Sequence, residues 1–138
     1  MLFRQLFDPG SCTYTYLIAD VELKEAILVD TVREQVDRDL KLLKELGLTL
    51  RYCLETHVHA DHVTGAGKLR AATGCLAIVP AHAQVSCADR QIDDGEIVTL
   101  SEIVVEAIAT PGHTDSHMAY LINSSRVLTG DALFIRGC

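Results

Sequence analysis

The chain has 138 residues, 49% of them hydrophobic and 22% charged, which is enough for one globular domain with a real core and too apolar for a disordered segment. Lys and Arg number 12 against 19 Asp and Glu, and the resulting net charge of -7 argues against a nucleic-acid partner or an anionic membrane surface and favours a small-molecule substrate. The opening MLFRQLFDPGSC has no long apolar run and no small-residue cleavage site, and no stretch approaches the roughly 18 apolar residues of a membrane span, so a cytoplasmic chain is expected.

In chain order, CTYTYLIAD (12–20) and EAILVDT (25–31) are β-rich runs joined by the short polar VELK, the pattern of an antiparallel hairpin. TVRE (31–34) then has the form of a capping box. Val36, Leu40, Leu43 and Leu46 follow at helical spacing until Gly47. LTLRYCLET (48–56) predicts a strand, GAGKLRAATG (65–74) a short helix closed by Gly74, and CLAIVP (75–80) another strand. EIVTL, EIVVEAIAT, HMAYLIN and RVLTGD predict four more strands, with turn signals at Ser101, PGHTD and NSS. Five cysteines, Cys12, Cys53, Cys75, Cys87 and Cys138, are an odd number without CxxC spacing. They read as reduced thiols and small buried hydrophobes rather than a disulfide framework or zinc knuckle.

The strand ending at Thr56 runs into HVHADH, which packs three of the six histidines and an aspartate into positions 57–62. An extended backbone points His57 and His59 to the same side, and Asp61 and His62 follow in a loop or first helical turn. Imidazole and carboxylate together suit zinc, iron or manganese, and a solvated polar loop explains each residue singly but not all four together. Two further donors fall at strand ends, where site residues collect: His113 after the tight turn of Pro111 and Gly112, and Asp131 in TGD. Asp30 has two readings, a support for the histidine loop or a cap for the following helix. His82 reads as a surface or helix-start residue.

THVHADH (56–62), PGHT (111–114) and GD (130–131), behind a hairpin ending in LVD (28–30), resemble the metallo-β-lactamase superfamily, and the similarity runs over essentially all 138 residues. GDALFIRGC (130–138) together with FDPGSCTYTYLI is most similar to the persulfide dioxygenases, also called sulfur dioxygenases. The resemblance implies an α/β (α+β) fold, the αββα sandwich, of which residues 1–138 form the N-terminal portion of a domain that family members continue. It implies one Fe(II) per chain on His57, His113 and Asp131, a two-histidine, one-carboxylate triad with open positions. It further implies supporting hydrogen bonds from His59, Asp61 and His62, and oxidation of glutathione persulfide by O2 to sulfite and glutathione.

Arg136 and Cys138 match the family's IRGC segment beside the site, where Arg136 would pair with a substrate carboxylate. His117 departs from the small residue that many relatives carry after a PGHTPG turn, which leaves the local loop shape open and could bring His117 near the pocket. Thiolester hydrolases of the glyoxalase II type share the histidine motif. In their two-metal form, with zinc as the alternative metal, a further histidine would have to come from beyond residue 138. A third reading is a non-catalytic metal-binding chain that needs a partner. An N-terminal portion alone leaves strand faces and an edge uncovered, so self-association is expected.

Overall fold

The computed structural model describes residues 1–11, 13–56, 65–81, 88–109, 118–124 and 126–128. Among the described residues there are two sheets and two helices. The first sheet has the order β1-β2-β3-β4-β5-β6, built from β1 (Leu2–Asp8), β2 (Thr13–Asp20), β3 (Glu25–Val29), β4 (Thr49–Leu54), β5 (Leu76–Pro80) and β6 (Arg90–Ile92). β1, β2 and β3 pair antiparallel; β3, β4, β5 and β6 pair in parallel. The second sheet is antiparallel throughout, in the order β10-β9-β8-β7, from β7 (Ile97–Leu100), β8 (Ile103–Ala109), β9 (Met118–Ile122) and β10 (Arg126–Leu128).

Parallel neighbours need crossovers, and α1 (Val36–Leu46) and α2 (Ala66–Thr73) supply those from β3 to β4 and from β4 to β5 on one face of the first sheet. Alternate residues of one strand therefore enter two cores. Leu17, Ala19 and Leu28 pack under the helices with Val36, Leu43 and Leu69. Ile18, Ile27, Val29 and Leu54 pack between the sheets with Val105, Tyr120, Ile122 and Leu128. Burial on both faces is why TYLIA and AILV read as continuous apolar runs. The layers are α, β and β, as the sandwich requires. Among the described residues no helix covers the outer face of the second sheet, where Ile97, Val104 and Val127 are exposed, and none is long and apolar enough to cross a membrane.

Local sequence explains most element ends. Gly47 and Gly74 close the helices in the left-handed conformation, φ 68° and 75°. The Asp20 carboxylate accepts from the N–H groups of Glu22 (2.9 Å) and Leu23 (3.0 Å), which turns the β2–β3 hairpin. The capping box is not formed. Val32 is extended (φ -109°, ψ 129°), a single 3-10 turn occupies Arg33–Gln35, and no side chain caps it or α1. Among the described residues the Thr31 hydroxyl has no hydrogen-bond partner. Two strands have no counterpart in the sequence reading: the half-exposed edge strand β1, where Arg4 and Gln5 break the apolar pattern, and the three-residue β6. Of the cysteines, Cys53 and Cys75 are free and buried, while Cys12, Cys87 and Cys138 lie outside the described residues.

Candidate metal centre

β3 ends at Val29, and Asp30 turns out of it with φ 57°, a left-handed conformation that aspartate tolerates better than most residues. Its N–H still donates to the Leu54 carbonyl (2.9 Å), and its own carbonyl accepts the Thr15 hydroxyl (2.8 Å). That fixes the direction of the carboxylate. Oδ1 accepts the Thr56 N–H and Oδ2 the Thr56 hydroxyl, both at 2.7 Å, with Asp30 and Thr56 buried. Charge-assisted bonds of this length in a water-poor setting hold strongly. Asp30 therefore supports the residue before His57 and does not cap the helix.

The second sheet holds the same point from the other side. The Thr56 carbonyl accepts the Met118 N–H (2.6 Å), the Glu55 carbonyl accepts the Tyr120 hydroxyl (2.6 Å), and the Glu55 N–H donates to Ile78 (3.1 Å). Burial, with the charges of Asp30 and Glu55 behind it, raises the Tyr120 hydroxyl well above its ordinary value, so it remains a donor. Burial and the Asp30 charge likewise raise Tyr16, against the hydrogen bond from Gln5. These carboxylates set up a negative potential at this end of the sandwich, which favours a cation.

The far end of the histidine segment returns to nearly the same place. The Gly65 N–H points to the Thr31 carbonyl at 3.4 Å, and the Gly65 carbonyl accepts from Leu69 (2.9 Å). A Cβ at position 65 would lie 3.0 Å from Val36 Cγ2, 3.1 Å from Thr31 Oγ1 and 3.1 Å from the Val32 carbonyl. Only glycine fits there without displacing a neighbour. Residues 30–32 thus hold both ends of segment 57–64, through Thr56 and Gly65.

His57, His59, Asp61, His62, His113, Asp131, Arg136 and Cys138, with His82 and His117, lie outside the described residues. Their flanks are described, and they converge. Thr56, which precedes His57, bonds Met118, which follows the segment bearing His113; Ala109 and Met118 pair across the mouth of that segment. Leu128 pairs with Tyr120, whose hydroxyl reaches Glu55, and Asp131 follows three positions on, at most about 10 Å of chain. Among the described residues no three His, Cys, Asp or Glu side chains group closely enough to hold a metal. The donor types carried by the three converging segments, imidazole and carboxylate, fit a divalent ion of the first transition row. Sequence reasoning passed over Tyr120 and Gly65, one a strand aromatic joined to its partner across 65 positions, the other a glycine after a motif.

Comparison with known proteins agrees with this architecture. Residues 8–138 match the family described as the metallo-beta-lactamase superfamily. The chain is 46% identical over 140 residues to "Persulfide dioxygenase ETHE1, mitochondrial" of Homo sapiens, covering 100% of this chain and 55% of that protein. A hydroxyacylglutathione hydrolase of Cereibacter sphaeroides is 36% identical over 132 residues, covering 93% of this chain and 51% of its own length. The chain thus spans about half the length of these curated relatives. The crystal structure of ETHE1 from Myxococcus xanthus superposes with a TM-score of 0.90 at 50% identity, covering 99% of this chain and 60% of that one. A family match over nearly the whole length, on a scaffold that gathers its loop ends at one edge of two stacked sheets, establishes that the chain belongs to the metallo-beta-lactamase superfamily.

Proposed function

We propose that this chain carries the metal site of a persulfide dioxygenase, which oxidises glutathione persulfide with O2 and one water to sulfite and glutathione. The observation that carries the reading is the 46% identity over the whole chain to a protein of that name, against 36% to a hydroxyacylglutathione hydrolase. GDALFIRGC supports the same choice. In this reading His57, His113 and Asp131 hold one Fe(II), and residues 1–138 are part of a longer metallo-β-lactamase domain. Ferrous iron, when bound, supplies the one-electron chemistry that O2 requires and the open coordination positions where reactants meet.

The chain's own residues do the positioning. Asp30 fixes Thr56 through its N–H and hydroxyl, and through it the first ligand, His57; the Met118 N–H ties the Thr56 carbonyl to the strand that follows His113. His59, Asp61 and His62 orient ligands and water by hydrogen bonds. In the same reading Arg136 would pair with a glutathione carboxylate, and Cys138 belongs to the same IRGC segment. The partners are a small thiol-derived substrate and O2, and the net charge of -7 opposes nucleic acid and membrane surfaces. The human relative's name places that protein in mitochondria.

The test is O2 consumption by the chain, reconstituted anaerobically with Fe(II), on addition of glutathione persulfide under air. Uptake matched one for one by sulfite, and lost by at least a hundredfold in His113→Ala with a parallel loss of bound iron, is the expected result. Release of thiol from a glutathione thiolester without O2 uptake, at more than one zinc per chain, would instead establish the hydrolase. One retained metal with neither activity would establish a metal-binding chain that needs a partner.

A further inference from the structure

Cys53 lies near the end of β4, and Cys75 sits between the left-handed Gly74 that closes α2 and the first residue of β5. Their sulfurs are 3.6 Å apart, both are free thiols, and both enter the core beneath the helices. The environments of the two sulfurs differ. The hydrogen bond from Cys53 pulls the Cys75 thiol down to about 7 against the cost of burial, helped by the Thr73 hydroxyl and its own N–H. That same bond, followed by burial, pushes Cys53 well up. Either sulfur can donate in the bond between them, and the directions of the two shifts favour thiolate on Cys75, the division of labour of an attacking and a resolving thiol.

Cys75 is itself buried, but its neighbours in the chain are not. Gly74 and Leu76, on either side of Cys75, are exposed, and with Thr73 and Tyr52 they line an open cleft of about 190 Å³. Fraying of the last residues of α2 is the opening that would expose Cys75, at the rim of the core beneath the helices. The ring that a bond between the two cysteines would close matters for its contents: 22 positions separate them, and His57 to His62 and all of α2 lie between.

We propose that Cys53 and Cys75 form a thiol–disulfide exchange site that takes a small-molecule disulfide as its oxidant and closes a covalent ring around the histidine segment. The Cys75 thiolate attacks one sulfur of the disulfide, and the other leaves as thiolate and takes up a proton. Cys53 then loses its proton, its sulfur attacks Cys75 Sγ, and the second thiolate leaves and is protonated. Two cysteine thiols are oxidised by two electrons, one disulfide is reduced to two thiols, and no step involves the metal. Closure needs the sulfurs to move from 3.6 Å to about 2.05 Å. The assignment does not depend on the dioxygenase reading.

The experiment is equilibration of the full chain in buffers of oxidised and reduced glutathione, followed by alkylation in denaturant and peptide mapping by mass spectrometry. A Cys53–Cys75 disulfide that rises with the oxidised fraction and reverses with dithiothreitol is expected, and Cys53→Ser should stop at glutathione attached to Cys75. The proposal is overturned if the wild-type chain itself stops at that adduct. It is overturned equally if both thiols stay fully alkylatable while Cys12, Cys87 or Cys138 becomes modified. Both readouts come from the wild-type chain, so they stand even if the Cys53→Ser variant does not fold.

Discussion

Asp30 directs both carboxylate oxygens at one residue, Thr56, and both donors are buried with it. An asparagine amide in its place would have to turn its NH2 toward one of them. Asp30→Asn should therefore cost about 2–3 kcal/mol, read as a lower urea midpoint at unchanged slope, and should reduce retained metal although it removes no ligand. Asp39, in the first turn of α1, is a different kind of buried acid. Burial pushes it up to about 6 despite the neighbouring Arg38, whose Nε lies 3.1 Å from Oδ1, and among the described residues Oδ2 has no hydrogen-bond partner. The native state holds this proton more tightly than the unfolded chain does, so the contribution is present below about pH 4 and is lost as pH rises through about 6. Asp39→Asn should be roughly 1–3 kcal/mol more stable than wild type at pH 8 and close to it at pH 4, checked by denaturation at both values. At this scale the sequence was most legible where chemistry is dense. HVHADH announces itself, whereas Asp30 kept two readings because a carboxylate after a strand and before a helix serves either end.

Gly65 and Gly67 allow the same substitution to be tried in two settings at the start of α2. A Cβ at 65 meets Val36, Thr31 and Val32 at 3.0–3.1 Å, while one at 67 meets nothing within 4 Å. Gly65→Ala should destabilise by about 1–3 kcal/mol through overpacking, whereas Gly67→Ala should stabilise by up to about 1 kcal/mol through helix propensity; melting curves of the two would separate in opposite directions. Elements with periodic apolar faces and glycine stops, α1 and α2, were readable almost to the residue. The start of α1 was not, because the Thr31 backbone bonds Gly65 and Val32 stays extended, a tertiary contact that overrides the local capping pattern. β1 and β6 escaped for a related reason: an edge strand and a three-residue strand are defined by their neighbours rather than by alternation within themselves.

The order of two stacked sheets is a matter of which strands meet, and no single-chain periodicity records that β4 lies between β3 and β5 or that Tyr120 reaches across to Glu55. The motif resemblance, not the pattern, supplied the sandwich. One consequence can be measured. Ile97, Val104 and Val127 are 48%, 38% and 45% exposed on the outer face of the second sheet, beside Leu121. Sedimentation of this chain should show concentration-dependent association, and Val104→Thr with Val127→Thr should weaken it at least severalfold without lowering stability by more than about 1 kcal/mol. The mooring of segment 57–64 at Thr56 and Gly65 has a further meaning, one of entropy. Its two ends are brought together by the folded scaffold before any ion arrives, so the cost of loop closure, which grows only as the logarithm of length, is already met by the strands and helices. Another eight-residue sequence set between the same two anchors should therefore leave the sandwich as it is, because Thr56 and Gly65 are held by residues 30–32 whatever lies between them.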